Sequence, residues 1–225
     1  MLVDVSHTVR EGVVTYKGLP PPIICDFLSR RESRAHYAPG TEFQIGKVEM
    51  VANTGTYVDS PFHRFADGDD VSSLPLESVA DLEGVVVEVP EGTGRRISED
   101  AFRGIDVEGK AVLVRTGWDR HWDTDAYMEG HPFLTREAAR WLADSGAKLV
   151  GIDSLNIDDT EDGERPVHTT LLNRGIPIVE HLQGLEALRD RSFRFFAVPV
   201  KVERMGSFPV RAFGRVIPTP LAATP

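Results

Sequence analysis

Residues 50–65 read MVANTGTYVDSPFHRF, and the reading of this stretch decides how the rest of the chain is understood. Thr54, Thr56 and Val58 favour strand, and Gly55 disfavours helix. On a strand, Asn53, Tyr57 and Asp59 point to one face. Pro61 then ends regular pairing, and His63 follows in a turn or a helix start. A core strand would not aim Asn, Tyr and Asp into the same space. The segment is either a half-exposed strand with its polar side in water or the wall of a polar site.

Bulk properties narrow the field. The chain has 225 residues, 41% hydrophobic and 27% charged, which suits a single domain spanning residues 1–225. No apolar run approaches the ~20 residues that cross a bilayer. The start, MLVDVSHTVREG, lacks the long apolar core of a signal peptide. The single cysteine, Cys25, excludes an internal disulfide and a cysteine-based metal cluster. These features predict a cytoplasmic protein with no membrane partner. The net charge is −10, and the densest basic stretch, SRRESRAH at 29–36, contains Glu32. Nucleic acid is therefore set aside as a partner, and the acidity is read as favouring solubility.

Strands dominate the pattern. GVVVEVP (84–90), KAVLVRTG (110–117), AKLVGID (147–153), IPIVEHL (176–182) and FRFFAVPVKV (193–202) are short, rich in Val, Ile or Phe, and punctuated by Gly or Pro. FPVRAFGRV (208–216) reads as a last strand. TREAARWLADSGAK predicts a helix capped by Thr135 and ended by Gly146, with Ala138, Trp141, Leu142 and Ser145 on one face. Shorter helical starts are expected at Ser98 and after Gly184. Strand, helix, strand over 110–153 places the chain in the α/β class.

A second polar cluster lies in RPVHTTLLNRGIPIVEHL. His168 precedes an apolar run, and Glu180 ends a buried strand, where a carboxylate needs a partner. Asp153 ends LVGID and reads as the cap of the following loop. Phe62 and Phe65 flank His63, and Trp118 follows a strand end, so all three are candidates to shape a pocket or simply to pack the core. Asp, His and Glu together suit a cation that accepts imidazole nitrogen and carboxylate oxygen, such as zinc or manganese.

The chain resembles the cyclase family of metal-dependent hydrolases, which includes kynurenine formamidase and isatin hydrolase. The family signature is His-x-Gly-Thr-His-x-Asp-x-Pro-x-His. Here the stretch is NTGTYVDSPFH, so Gly55, Thr56, Asp59, Pro61 and His63 match, while Asn53 and Tyr57 stand where the family has histidine. VDVSHTV, VLVRTGWD, LVGIDSLNID, VHTTLLNRGIPIVEHLQGLEAL and FPVRAF resemble other family blocks in the family's order, so the likeness runs nearly end to end. The resemblance implies a swivelling β/β/α domain assembled as a homodimer or homotetramer. It implies a metal held by Asp59, His168 and Glu180, with His63 as the acid/base residue. The site for a first ion has lost both histidines. Asn53 offers that ion only a neutral carbonyl oxygen, and Tyr57 must lose a proton near pH 10 to become a strong ligand.

Three readings stay open. One is a hydrolase of small amides, lactones or cyclic imides using one divalent ion, with His63 moving protons and Tyr57 donating to an oxyanion. Another is a metal-independent isomerase, dehydratase or cyclase using His63 and Tyr57. The third is a non-catalytic binding protein with a relic pocket.

Overall fold

The computed structural model describes residues 1–90 and 92–218. Nine strands form one curled sheet: β1 (Leu2–Asp4), β4 (Tyr57–Asp59), β5 (Leu82–Glu88), β7 (Ala111–Arg115), β9 (Leu149–Ile152), β10 (Ile178–Glu180), β11 (Phe193–Phe196), β12 (Ser207–Pro209) and β13 (Phe213–Val216). Four more make two small sheets, β2 (Ile23–Leu28) with β3 (Ile45–Glu49) and β6 (Arg96–Ile97) with β8 (Phe133–Leu134). Three α-helices accompany them: α1 (Arg30–Ser33), α2 (Arg136–Asp144) and α3 (Pro166–Asn173). The strand-rich α/β class expected from the sequence is what the chain adopts. No helix of the described residues is long and apolar enough to cross a membrane.

The main sheet runs β1-β13-β11-β5-β7-β9-β10-β4-β12. Its centre, β5 to β10, is parallel, and β4 and β12 add antiparallel pairs beyond β10. The sheet has a packed layer on each face. Val112, Val114, Val150, Ile152 and Ile178 pack under α2 and α3, while Ala111, Leu113, Leu149 and Val179 pack with Phe193 and Phe195 on the other side. Burial on both faces is why these strands read as continuous Val and Ile runs rather than alternating ones.

The last predicted strand is in fact two. Residues 208–216 divide into β12, at one edge of the sheet, and β13, next to the opposite edge. Only residues 210–212 join them, so the two ends of the sheet lie within the reach of a few extended residues. The sheet therefore curls nearly onto itself. Val210 N–H donates to Thr56 O, and Val5 N–H donates to Ala212 O, across this seam. Residues 197–202 leave the sheet, which exposes Val198 and Val200 despite their apolar pattern. The predicted helix is observed at Arg136–Asp144, with Thr135 Oγ1 accepting from Ala138 N–H. Its buried stripe is Ala138, Ala139, Leu142 and Ala143, and Trp141 stacks on Phe102. The starts at Ser98 and Gly184 become short 3-10 turns. Helix α3 has no counterpart among the sequence-based expectations.

His7 pins the N-terminal segment to this seam. Its N–H donates to Thr56 Oγ1 at 2.9 Å, and its ring stacks on Trp122 at 3.8 Å. Burial pushes the imidazole down to about 4, and its Nε2 has no hydrogen-bond partner. The unfolded chain thus binds a proton that the folded one refuses, so this contribution is complete above the ordinary histidine pKa and is lost as pH falls toward 4. His7→Phe keeps the stack and removes the titration. Between about pH 7 and pH 5 the variant should lose about 2 kcal/mol less stability than the parent in urea unfolding, and identical pH dependence would refute the account.

Candidate active site

Strand pairing brings the site together. Tyr57 of β4 sits opposite Glu180 of β10, and Asp59 lies between Ile178 of β10 and Ser207 of β12. Val58 and Val179 point into the core beneath. By alternation Tyr57, Asp59 and Glu180 rise on the other face, beside α3, which carries His168. The regular strand begins only at Tyr57. Gly55 adopts φ +67°, and an added Cβ would meet Val9 at 2.9 Å, so the chain turns there. Asn53 is therefore outside the strand, yet it still lines the same cavity as Tyr57, His63, His168 and Glu180, a volume of about 270 Å³.

At the cavity floor three groups converge. His168 Nε2 is 3.6 Å from Asp59 Oδ2 and 3.7 Å from Glu180 Oε1. Its other nitrogen, Nδ1, donates to Asp158 Oδ2 at 2.6 Å. Asp158 is itself held by the N–H groups of Val167 and His168 at 2.7 and 2.9 Å. This fixes the ring and aims Nε2 at the two carboxylates. Burial opposes a charge on His168, but Asp158, Asp59 and Glu180 outweigh it and push the imidazole up to about 10. Burial also works against ionisation of Asp59, yet His63, His168 and Ser207 hold it below the usual carboxylate range. Glu180 is pushed up to about 7 by burial, against the pull of His168.

Tyr57 and Asn53 are tied to the partners of this cluster. Burial, then Glu180 and Asp59, push the Tyr57 phenol well above its ordinary value, so it keeps its proton. That proton goes to Glu180 Oε2 at 2.5 Å. The role of oxyanion donor expected for Tyr57 has no second proton to serve it. Glu180 is further bound by Ile157 N–H at 2.7 Å and Asn156 Nδ2 at 3.3 Å. The Asn53 amide, considered as a metal ligand, donates through Nδ2 to Ser207 Oγ at 3.3 Å.

His63 stands at the cavity wall in the turn Pro61–His63. Its Nδ1 lies 2.9 Å from Ser207 Oγ, and Ser207 donates its own proton to Asp59 Oδ1. One assignment satisfies every group: His63 Nδ1–H donates to Ser207, which donates to Asp59. The His63 Nε2 lone pair is then left for the cavity. Gly206 permits this close approach, because a Cβ there would meet the His63 backbone at 2.5 Å.

The donor set fits a divalent cation. Asp59 Oδ2 is a buried carboxylate oxygen without a hydrogen-bond partner, and the charge that faces it is either the His168 imidazolium at 3.6 Å or a metal cation that takes the place of that proton. Asp59, His63 and His168 present ligand atoms all within 4.8 Å of one another, and Glu180 adjoins them. Carboxylate and imidazole together suit zinc or manganese.

Other candidates lie elsewhere. Asp153 accepts from Thr116 N–H, Thr116 Oγ1 and Gly117 N–H, so it caps the loop leaving the neighbouring strand β7 rather than its own. Phe62, Phe65 and Trp118 are not among the cavity residues. Phe65 packs against the helix-side core, and Trp118 Nε1 donates to Tyr127 O. Ser207, Asp158 and Asn156 are site residues that sequence reasoning missed. No local pattern marks them, since Ser207 meets Asp59 across 148 residues.

Comparison with known proteins bears on the family and the fold. The sequence pattern of the family described as putative cyclase matches residues 3–159. Kynurenine formamidase of Bacillus cytotoxicus is 28% identical over 214 residues, covering 95% of this chain and 96% of that protein. Its counterpart in Bacillus cereus is 28% identical over 217 residues, covering 96% and 97%. A solved structure described as a potential metal-dependent hydrolase with cyclase activity superposes with TM-score 0.77 at 26% identity, covering 95% and 96%. Isatin hydrolase A of Labrenzia aggregata shares the fold, with TM-score 0.80 at 20% identity, covering 95% and 93%. With over half its length matched by the family pattern and its fold shared, the chain belongs to the putative cyclase family.

Proposed function

We propose that the chain is a hydrolase of small amides, with lactones and cyclic imides as related substrates, and that it works with one divalent cation held by Asp59, His168 and Glu180. The observation that carries this reading is Asp59 Oδ2, buried, unpartnered and facing the Nε2 of a histidine whose Nδ1 is anchored to Asp158. The kynurenine formamidase relatives and the solved relative described as a metal-dependent hydrolase support it. A zinc or manganese ion bound there would supply Lewis-acid polarisation of a carbonyl and a lowered pKa for water.

The chain's own residues supply the rest. His63, with Nδ1–H committed to Ser207, takes a proton at Nε2 from the attacking water and returns it to the leaving nitrogen. Ser207 and Asp59 hold the tautomer that this needs and stabilise the imidazolium that forms. Tyr57 and Asn156 orient Glu180. The Tyr57 proton is already engaged, which disfavours the metal-independent reading built on a His63–Tyr57 pair.

We further propose that two copies associate, through the arm formed by β2 and β3. Neither strand joins the main sheet. Seven large apolar side chains, Ile23, Ile24, Phe27, Tyr37, Phe43, Ile45 and Val48, are exposed on this segment. So dense an apolar surface on an unpaired two-stranded sheet is what a two-fold partner covers.

Three outcomes are expected. Elemental analysis after mild dialysis should find about one divalent ion per chain, because Asn53 and Tyr57 have replaced two imidazoles, and two per chain would sink the one-ion reading. His63→Ala should lower turnover of N-formylanilines, lactones or cyclic imides by ~10²-fold or more while metal content stays the same. Loss of the ion in that variant would instead place His63 among the ligands. Light scattering should give at least twice the chain mass of 24.9 kDa, and a species of 24.9 kDa would refute association.

A further inference from the structure

The cavity wall carries two cations that the chemistry above does not use. Arg64 directly follows His63, and Arg165 precedes His168 by three residues, so each guanidinium is rooted beside a group of the cluster. Among the described residues, neither has a carboxylate partner within salt-bridge distance. Arg64 Nε donates to Thr169 Oγ1 at 3.2 Å, and its guanidinium lies 5.4 Å from the centre of the Phe65 ring. Arg165 contacts only neutral oxygens, and none closely. Its Nη1 is 3.3 Å from Asn156 Oδ1 and 3.4 Å from Asp159 O, and its Nη2 is 3.4 Å from Tyr16 OH and 3.5 Å from Thr160 O. These bonds position the fork without neutralising it.

The backbone at Arg165 adds an independent observation. Arg165 has φ +48° and ψ +59°, the left-handed region that glycine occupies without penalty. A non-glycine residue in this region is strained, and Arg165 is the one among the six such described residues that also lines the cavity. The chain holds a guanidinium at the mouth of α3 where glycine would be unstrained. Tyr16 and Asn156, both cavity residues, help to hold it there.

With Asp59 and Glu180 offset by His168 and by the cation proposed there, the floor carries little net charge, and an anion entering the cavity is attracted by the arginines on the wall. That polarity orients any substrate with a charged end and a neutral reacting end. We propose that Arg64 and Arg165 form an anion-binding subsite, and that the substrate is an amide carrying a carboxylate a few bonds from the scissile carbonyl. Guanidinium forks match the planar geometry of carboxylates, and such charge-assisted bonds are about twice as strong as neutral ones. The inference rests on reading the cavity as hydrolytic, but the subsite can be tested apart from it.

The probes are N-formylaniline and its 2-, 3- and 4-carboxylate derivatives, which share one scissile bond and differ in the presence and position of a carboxylate. The parent protein should prefer at least one carboxylate isomer by kcat/KM, and Arg64→Gln and Arg165→Gln should each cut that preference about 10-fold or more, chiefly through KM. Arg165→Gly serves as a second variant, since it relieves the backbone strain and guards against misfolding. Calorimetry with the corresponding aminobenzoates tests binding without turnover, and the same variants should weaken it about 10-fold or more. Loss of aminobenzoate binding in the arginine variants, with no hydrolysis of any probe by the parent, would support the subsite and count against the hydrolytic reading. Hydrolysis with no preference for a carboxylate would overturn the subsite and leave the hydrolytic reading standing. Equal aminobenzoate binding by parent and variants, or no binding by the parent, would also overturn the subsite.

Discussion

The site depends on one constraint, the register that sets Tyr57 against Glu180 and Asp59 against Ser207. Both faces of β4 are buried, so a slip of one residue would exchange Val58 with its polar neighbours and put the Asp59 carboxylate into the apolar core. The apolar layer beneath the sheet therefore enforces the polar arrangement above it. The curl of the sheet completes the constraint. It brings β12 round to β4, so that a serine from near the chain's end can join His63 to Asp59.

Charge balance explains how such a floor is tolerated. Asp59, Asp158 and Glu180 are all buried, and His168 lies against each of them. Asp158 is quieted by two backbone N–H groups and the imidazole, and Glu180 by Tyr57, Asn156 and Ile157. Asp59 retains one oxygen with nothing to accept from. The deficit is thus concentrated on a single atom that faces His168 Nε2, where either the imidazolium proton or a cation in its place supplies the charge. The replacement of two histidines by Asn53 and Tyr57 fits the same logic. Both side chains spend their protons on the cluster, Tyr57 on Glu180 and Asn53 on Ser207, where imidazoles would have presented lone pairs. In this structure both side chains are hydrogen-bond donors to the remaining cluster.

The parts legible in the sequence were those with local signals. The central strands announced themselves because two-faced burial demands unbroken Val and Ile runs, and α2 because Thr135 and Gly146 bracket it. Asp59, His63, His168 and Glu180 were legible through the motif blocks that carry them. Helix α3 was not, since Pro166 opens it and its apolar residues are too evenly spread to mark a face. The division of 208–216 was hidden because only the closure of the sheet requires it. Ser207, Asp158 and Asn156 are ordinary residues whose importance arises from contacts that the fold creates.

The same distinction separates the two halves of the cavity. Its floor is built from the buried cluster of Asp59, His168 and Glu180, held by paired strands and backbone N–H groups. Its wall includes residues near them in sequence, Arg64 after His63 and Arg165 before His168, of which Arg165 reaches the floor only through Asn156 at 3.3 Å. Such an arrangement lets reactivity and selectivity vary separately. The floor is constrained by burial, where one unpaired charge costs several kcal/mol, while the wall is half in solvent and tolerates exchange. A guanidinium on that wall, held in a left-handed conformation and without a carboxylate partner among the described residues, is the feature that the proposed anion subsite accounts for.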